Sequence, residues 1–280
     1  MNARARRTTQ RSLLNVLALI VFVCSVFPVY WMVNTAFLPG SAVKSDTPHL
    51  WPDQFTFRSF AAAWNDGGFV PALGVSLVVT VLTVVVALLF AFLASIAVSR
   101  YRFRSRKTFI IAILVIQMIP AEAMIISTFR VLDGWHLLNT IIGLAAVYIA
   151  MVLPFTIWTL RGFVNGVPAD LEEAAMIDGC SRNQAFWRVT FPLLAPGLVS
   201  TGIFAFIQAW NEFVFALVVM TRPEAQTLPI WLRSFVQATK ATDWAVVMAG
   251  STLMAIPVII FFLIVQGRMT SGLVSGAVKG

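Results

Sequence analysis

The sequence has little charge and few of the side chains that catalytic and metal sites require. Of its 280 residues, 11% are charged, whereas a soluble globular domain carries about a quarter. Its two cysteines, Cys24 and Cys180, form no Cys-x-x-Cys pair, and its two histidines, His49 and His136, read as isolated loop residues. We therefore expect neither a disulfide nor a metal site.

A phosphate-binding loop of the form Gly-x-x-x-x-Gly-Lys-Ser/Thr is also absent from the sequence. Without that backbone cradle the chain lacks the usual means of binding the phosphates of ATP. We find no serine–histidine or paired-carboxylate pattern that would predict a membrane-embedded enzyme. The sequence predicts a non-catalytic protein that binds no cofactor itself.

Hydrophobic residues make up 59% of the chain and are concentrated in long continuous runs. About 20 apolar residues are needed to cross a bilayer as a helix, and continuous runs rather than alternating ones exclude a β-barrel. We predict an all-α membrane protein with residues 1–280 forming a single transmembrane domain. The six predicted spans are residues 13–36, 71–98, 109–129, 138–160, 197–220 and 246–265.

Basic residues predict the orientation of these spans, because Lys and Arg near the membrane stay on the cytoplasmic side. Fourteen of the 20 lie in the N-terminus, the 100–107 loop, the loop at 161–195 and the C-terminal tail, and six lie in the other loops. Both termini are therefore predicted to be cytoplasmic. The net charge of +8 follows from this topology, so we expect no nucleic-acid partner.

The arginine-rich start followed by an apolar run is also compatible with a cleaved signal peptide. The run continues through Pro28 to Ala36 without a small-x-small cleavage site. We therefore expect it to remain as the first span.

The cytoplasmic loop at 161–195 carries the signals of two short helices. Asp170 is a predicted N-cap, with Glu173 completing a capping box, and Gly179 is a predicted left-handed stop. Ser181 with Gln184 predicts a second capping box. Because proline disrupts helices, the second helix is expected to end at Pro192 and Pro196.

The spacing of this loop resembles the EAA loop of ATP-binding cassette (ABC) importer permeases. Glu173-Ala174-Ala175, Gly179 and the segment Val189-Thr190-Phe191-Pro192 match that pattern, with Phe191 in place of the usual aliphatic residue. Pro154–Trp158, Leu160–Phe163, Trp210–Phe213 and the tail 271–280 further resemble the second permease subunit of the maltose-type carbohydrate branch.

The resemblance implies a permease subunit that forms half of a sugar pathway in a bacterial cytoplasmic membrane. Its implied partners are a homologous permease, two ATP-binding subunits that use ATP and Mg²⁺, an extracytoplasmic sugar-binding protein, the carbohydrate and membrane lipid. The loop is implied to be a coupling helix that contacts the ATPase. The candidate coupling residues are Glu173, Ala174, Ala175, Asp178, Gly179, Arg182, Phe186 and Pro192.

Polar residues within spans indicate a pathway or a helix interface. We place Gln208, Asn211 and Glu212 on one helical stretch, where they could hydrogen-bond a sugar beside the ring of Trp210. The alternative, which we favour slightly, is that Asn211 and Glu212 lock one helix to another, or to the partner permease, and contact no substrate. Glu122, after Pro120, lines the pathway or lies at the outer interface.

The outer loop at 221–243 corresponds, by resemblance, to a loop that reaches into the cleft of the binding protein, with Gln226, Thr227, Leu228 and Pro229 as candidates. Two other functions remain open. The EAA pattern also occurs in importers of other solutes. A stand-alone secondary transporter would instead use Glu122 and Glu212 as titrating groups.

Overall fold

The structure, a computed structural model, describes residues 3–45, 47–236 and 242–277, with side chains described at Arg11 and over 13–45, 47–236 and 242–267. This part of the chain contains helices and no strand, which confirms the all-α prediction. The helices are α1 (Ala3–Phe37), α2 (Gly40–Val43), α3 (Arg58–Asn65), α4 (Phe69–Arg100), α5 (Arg106–Gln117), α6 (Ile125–Gly134), α7 (Ile141–Gly166), α8 (Asp170–Ile177), α9 (Arg182–Ala185), α10 (Phe191–Asn211), α11 (Val214–Val219), α12 (Leu228–Ser234) and α13 (Trp244–Ala277).

Five helical segments in the described residues are long and apolar enough to cross a membrane. The bent pair Arg106–Gln117 and Ala121–Gly134 gives a sixth when it is counted as one span. Each predicted span has a counterpart among these segments, so hydropathy located them well. The single domain over residues 1–280 and the sidedness of the loops stay predictions.

The predicted third span, residues 109–129, is wrong as a continuous helix. Its two halves meet at 91°, with α5 ending at Gln117 and a 3₁₀ turn, Ala121–Met124, beginning after Pro120. Pro120 has an extended ψ of 122°. Proline offers no N–H to a helical ladder and its ring excludes helical geometry from the preceding residue, which explains the break.

The chain divides into two compact units, Met1–Phe69 with Leu232–Ile256, and Val70–Trp231 with Pro257–Gly280. In the first unit, the segment after α1 folds back on the C-terminal end of that helix. Asn34 Nδ2 donates to the His49 carbonyl (2.8 Å), and Thr56 N–H donates to the Phe37 carbonyl (3.0 Å). Edge-on rings of Phe37 and Phe57 add to this packing.

The view of His49 as an isolated histidine is wrong. Its Nδ1 atom lies 3.3 Å from a carboxylate oxygen of Asp53. The two residues are four positions apart, so the pair is a local one that the sequence displays. Among the described residues, no group of three or more His, Cys, Asp or Glu side chains could hold a metal ion.

In the second unit, α4 buries a stripe of small side chains. Small residues let helices approach closely inside a membrane, where their hydroxyls also find partners. Ser76 illustrates this, because its Oγ accepts the Leu228 N–H at 2.7 Å. The buried residues of the stripe recur every three or four positions: Ala72, Ser76, Thr80, Thr83, Ala87, Ala91, Ser95 and Val98.

A tight turn joins α6 to α7 and is fixed to the segment after α11. Asn139 has a left-handed φ of 57°. Its Oδ1 accepts hydrogen bonds from the Arg222 N–H (2.8 Å) and the Thr221 hydroxyl (3.2 Å). Thr140 caps α7 by accepting the Gly143 N–H at 3.0 Å. A Cβ at Gly143 would lie 2.2 Å from the Leu137 carbonyl oxygen, so this turn requires glycine there.

Candidate functional site

The predicted capping box at the start of α8 is wrong. Asp170 is the first residue of the helix, Ala169 occupies the N-cap with helical φ and ψ, and no side chain caps this end. Because Ala169 is already helical, the Glu172 and Glu173 N–H groups bond to its carbonyl oxygen at 2.9 and 3.1 Å. The acidic first turn still suits the positive end of the helix dipole.

The predicted glycine stop is confirmed in detail. Gly179 has a φ of +91°, a conformation that costs other L-residues about 1–2 kcal/mol. Its N–H bonds to the Met176 carbonyl oxygen (3.1 Å), and the Cys180 N–H bonds to the Ala175 carbonyl oxygen (3.0 Å). This pair of bonds is a Schellman motif, which ends α8 and reverses the chain.

The predicted second capping box is also confirmed. The Ser181 N–H donates to Gln184 Oε1 at 2.9 Å, and the Gln184 N–H donates to Ser181 Oγ at 3.3 Å. Two N–H groups at the start of α9 are thereby satisfied reciprocally. The bend between α8 and α9 is therefore defined by local bonds on both sides of Cys180.

The second loop helix does not end at Pro192 or Pro196, as predicted. It passes through a π turn, Phe186–Thr190, into α10, and Pro196 lies inside α10. The Phe191 N–H bonds to the Phe186 carbonyl oxygen, five residues earlier. This wider turn opens the helical ladder just before Pro192, where the proline ring would otherwise meet the carbonyl four residues back. The loop thus runs directly into the fifth span.

The bend presents apolar and charged side chains to its surroundings. Ile177 is 85% exposed at the end of α8, and Trp187 is 52% exposed in the π turn. Exposed apolar side chains grouped on a polar loop are typical of a protein-binding surface. Of the candidate coupling residues, Glu173, Ala174, Asp178, Gly179, Arg182 and Pro192 are exposed, and Ala175 and Phe186 are half-buried.

A cavity of about 650 Å³ lies between α8, the π turn and the end of α4. Arg100 and Arg182 contribute cations to its lining, Glu172 and Glu173 contribute carboxylates, and Phe186 contributes an apolar ring.

Two arginines form bridges that sequence reasoning missed. Arg100 Nη2 donates to the Val167 carbonyl oxygen at 3.0 Å, joining the end of α4 to the residue after α7. The Arg182 guanidinium lies 6.0 Å from the centre of the Tyr101 ring, within range of a cation–π contact. In the sequence, Arg100 is one of five basic residues at 100–107, and nothing there distinguishes it from the others.

A third missed contact joins α8 to the fifth span. The Thr190 hydroxyl donates to Glu172 Oε2 at 3.1 Å. In the sequence, Glu172 is marked only by its place next to Glu173, which is the glutamate that matches the EAA pattern.

The predicted helical stretch through Glu212 is wrong. α10 ends at Asn211, and Glu212 adopts an extended ψ of 129°. Its carboxylate accepts the N–H groups of Phe215 (2.8 Å) and Ala216 (3.0 Å) at the start of α11. The predicted fifth span, 197–220, is accordingly broken at this point. The Glu212 carboxylate thus satisfies backbone N–H groups of its own segment. This arrangement favours a structural role for Glu212 over a role in the sugar pathway.

The other pathway candidates differ in their exposure. Trp210 is 1% exposed and stacks on Phe206 at a ring distance of 5.6 Å, so the expected ring platform for a sugar is not presented. Asn211 is exposed but donates to the Ile207 carbonyl oxygen of its own helix at 2.9 Å. Gln208 and Glu122 are both exposed, on α10 and in the 3₁₀ turn after Pro120.

Two of the four outer-loop candidates are buried, and their contact with a binding protein stays a prediction. Thr227 and Leu228 are 3% and 0% exposed, because Leu228 begins α12 and is fixed to Ser76. Gln226 and Pro229 are half-buried. Among the described residues of this loop, 221–224 are exposed, and so are Arg233, Ser234, Val236 and Asp243.

The family of the chain follows from its similarity to known proteins. Residues 87–273 match the family described as binding-protein-dependent transport system inner membrane component. The chain belongs to this family. It is therefore a multi-pass membrane permease of an ABC importer, and the predicted family is confirmed.

Several curated relatives match along nearly their full length. The diacetylchitobiose uptake system permease protein DasC of Streptomyces coelicolor is 47% identical, with 95% of this chain and 96% of that protein covered. The trehalose transport system permease protein SugB of Mycobacterium tuberculosis is 35% identical, with 99% of each covered.

A solved structure has the same fold. It is a chain of a bacterial ABC transporter involved in the import of the acidic polysaccharide alginate. The TM-score is 0.79 at 24% identity, with 95% of this chain and 98% of that chain covered. The likeness confirms the importer-permease fold.

Proposed function

We propose that this chain is one permease half of an ATP-driven carbohydrate importer in a bacterial cytoplasmic membrane. The observation that carries the proposal is the exposed, hydrogen-bonded bend from α8 to α9, which continues without interruption into a membrane span. A displacement applied to this bend is transmitted to the bilayer. The sequence has no phosphate-binding loop, so we infer that the displacement comes from another subunit.

The partners of the chain follow from the assignment of ATP hydrolysis to another subunit. A second, homologous permease completes the pathway, two ATP-binding subunits hydrolyse ATP with Mg²⁺, and an extracytoplasmic binding protein delivers the sugar. The exposed Ile177 and Trp187 are the apolar contacts of the ATP-binding subunit, and Asp178 and Arg182 are its charged contacts. Interfaces of this kind place exposed apolar anchors at the centre and charge at the rim.

A carbohydrate substrate is supported by the relatives. Proteins named as diacetylchitobiose and trehalose permeases match this chain over 95% and 99% of its length. We propose a neutral di- or oligosaccharide, with a chitobiose-type amino sugar as the first to be tested.

The docking surface is tested with Ile177→Arg, compared with the conservative Ile177→Val. The chain is co-expressed with the permease, ATPase and binding protein from neighbouring reading frames and purified in detergent. We expect Ile177→Arg to lose co-purifying ATPase about tenfold, as for an interface hot spot, while membrane insertion and recovery of the partner permease are unchanged. Equal ATPase recovery from both variants would overturn the proposed docking surface.

The substrate class is tested by titrating the encoded binding protein with diacetylchitobiose, trehalose, maltose, an amino acid and phosphate. Binding of a sugar supports the proposal. Binding of the amino acid or phosphate alone assigns the chain to an importer of another solute.

A further inference from the structure

The hydrogen bond between Glu172 and Thr190 joins two parts of the loop that are 18 residues apart. Glu172 lies on α8, and Thr190 is the last residue of the π turn that begins the fifth span. Between them lie the Schellman bend and the second capping box. The bond therefore links α8 directly to the π turn that continues into α10.

The surroundings of this bond strengthen it. Thr190 is 2% exposed, and Glu172 is half-buried in the wall of the cavity. A hydrogen bond to a carboxylate is stronger than one between neutral groups, and burial of the Thr190 hydroxyl keeps water from competing for it. No other hydrogen bond from the Thr190 hydroxyl is needed, because a hydroxyl donates only once.

The membrane side of the bond is fixed as well. Phe186 and Phe191, at either end of the π turn, both contact the Phe92 ring of α4, at 6.2 and 5.8 Å between ring centres. Thr190 is thus held against the spans. α8, in contrast, has no side-chain cap at its first turn. A π turn within a longer helix is frequently found at functional sites.

We propose that Glu172 is a positioning residue for coupling. Its carboxylate holds α8 at a fixed angle to the fifth span, so that a movement of α8 also moves the span. Without the bond, α8 can turn about the Gly179 bend while the span stays still. The inference rests on the proposed function, because it concerns how that importer links ATP hydrolysis to sugar movement.

The test measures sugar molecules imported per ATP hydrolysed by the complete importer in proteoliposomes. Thr190→Val removes the hydroxyl with little change of shape, and Thr190→Ser retains it. Glu172→Ala removes the acceptor. Asp170→Asn is the matched control, because it removes a carboxylate from the same turn of α8 that caps nothing.

We expect Thr190→Val and Glu172→Ala to hydrolyse ATP but to import about tenfold less sugar per ATP, the effect of losing a bond to a charged group. Thr190→Ser and Asp170→Asn should keep the wild-type ratio. Combining Thr190→Val with Glu172→Ala should lower the ratio no further, because both remove one interaction.

Three outcomes are distinguishable. An unchanged ratio in Thr190→Val and Glu172→Ala, with an active wild type, overturns the positioning role and leaves the proposed function standing. Loss of import and ATP hydrolysis in equal proportion, with Thr190→Ser affected as strongly, also overturns it, because that result indicates a general packing defect. A wild-type complex that imports no sugar contradicts the proposed function itself.

Discussion

The backbone N–H of Cys180 donates a hydrogen bond to the carbonyl oxygen of Ala175, 3.0 Å away, across the bend at Gly179. This bond forms only because Gly179 adopts a φ of +91°. Around Gly179 there is open space, since a Cβ built there meets no atom within 4 Å. The requirement for glycine is therefore one of backbone conformation rather than of packing.

Gly179→Val should impair transport much more than Gly179→Asn. Valine is strongly disfavoured at positive φ, whereas asparagine is enriched there, and the strain amounts to about 1–2 kcal/mol. Uptake by whole cells checks this, with Gly162→Ala as the control, because Gly162 lies inside α7 and has open space around it. Similar uptake by the Val and Asn variants would show that the left-handed bend is not required.

Ser181→Ala should loosen the start of α9. It removes the side-chain acceptor of the capping box, which is worth about 1 kcal/mol. Amide hydrogen exchange at residues 182–186 should become about fivefold faster, and Ser181→Asp should restore slow exchange because aspartate also caps helices. If exchange in Ser181→Ala equals that of the wild type, the box does not hold this bend.

Glu212→Gln should retain ATP-driven uptake, and Glu212→Ala should lower thermal stability. Glutamine keeps one acceptor oxygen for the Phe215 or Ala216 N–H, whereas alanine leaves both without it, at a cost of about 1–3 kcal/mol. Melting of the detergent-purified complex measures the difference. Abolished uptake in Glu212→Gln with unchanged stability would instead favour a titrating role.

Gly143→Ala should reduce the amount of folded protein in the membrane. The added Cβ would lie 2.2 Å from the Leu137 carbonyl oxygen, and overpacking of this kind costs at least about 1–3 kcal/mol. Gly74→Ala is the matched control, because it places a methyl group in open space on α4. Fluorescence-detected gel filtration compares the two, and equal recovery would contradict the tight turn at Asn139.

Local signals predicted local features of this chain. Hydropathy located the spans, and the Ser181–Gln184 spacing and Gly179 predicted the bend between α8 and α9, because each depends on neighbours within a few residues. The end of α10 was missed because the segment Trp210–Phe213 contains no glycine or proline, the residues that usually mark the end of a helix. Pro192 misled because the π turn that accommodates it is not visible in the sequence.

Long-range contacts could not be read from the sequence either. The bonds from Arg100 to Val167 and from Thr190 to Glu172 span 67 and 18 residues. They depend on how the helices pack. The five basic residues at 100–107 are equivalent in the sequence. Only the packing of the helices determines that Arg100 is the one that bonds to Val167.

Whether this chain is one permease half of an ATP-driven carbohydrate importer is tested most directly by uptake of radiolabelled diacetylchitobiose or trehalose into proteoliposomes. The proteoliposomes contain this chain with its partner permease, ATPase and binding protein. We expect accumulation that requires ATP and the binding protein, and that is lost on Ile177→Arg. Accumulation by this chain alone, driven by an ion or proton gradient, would contradict it.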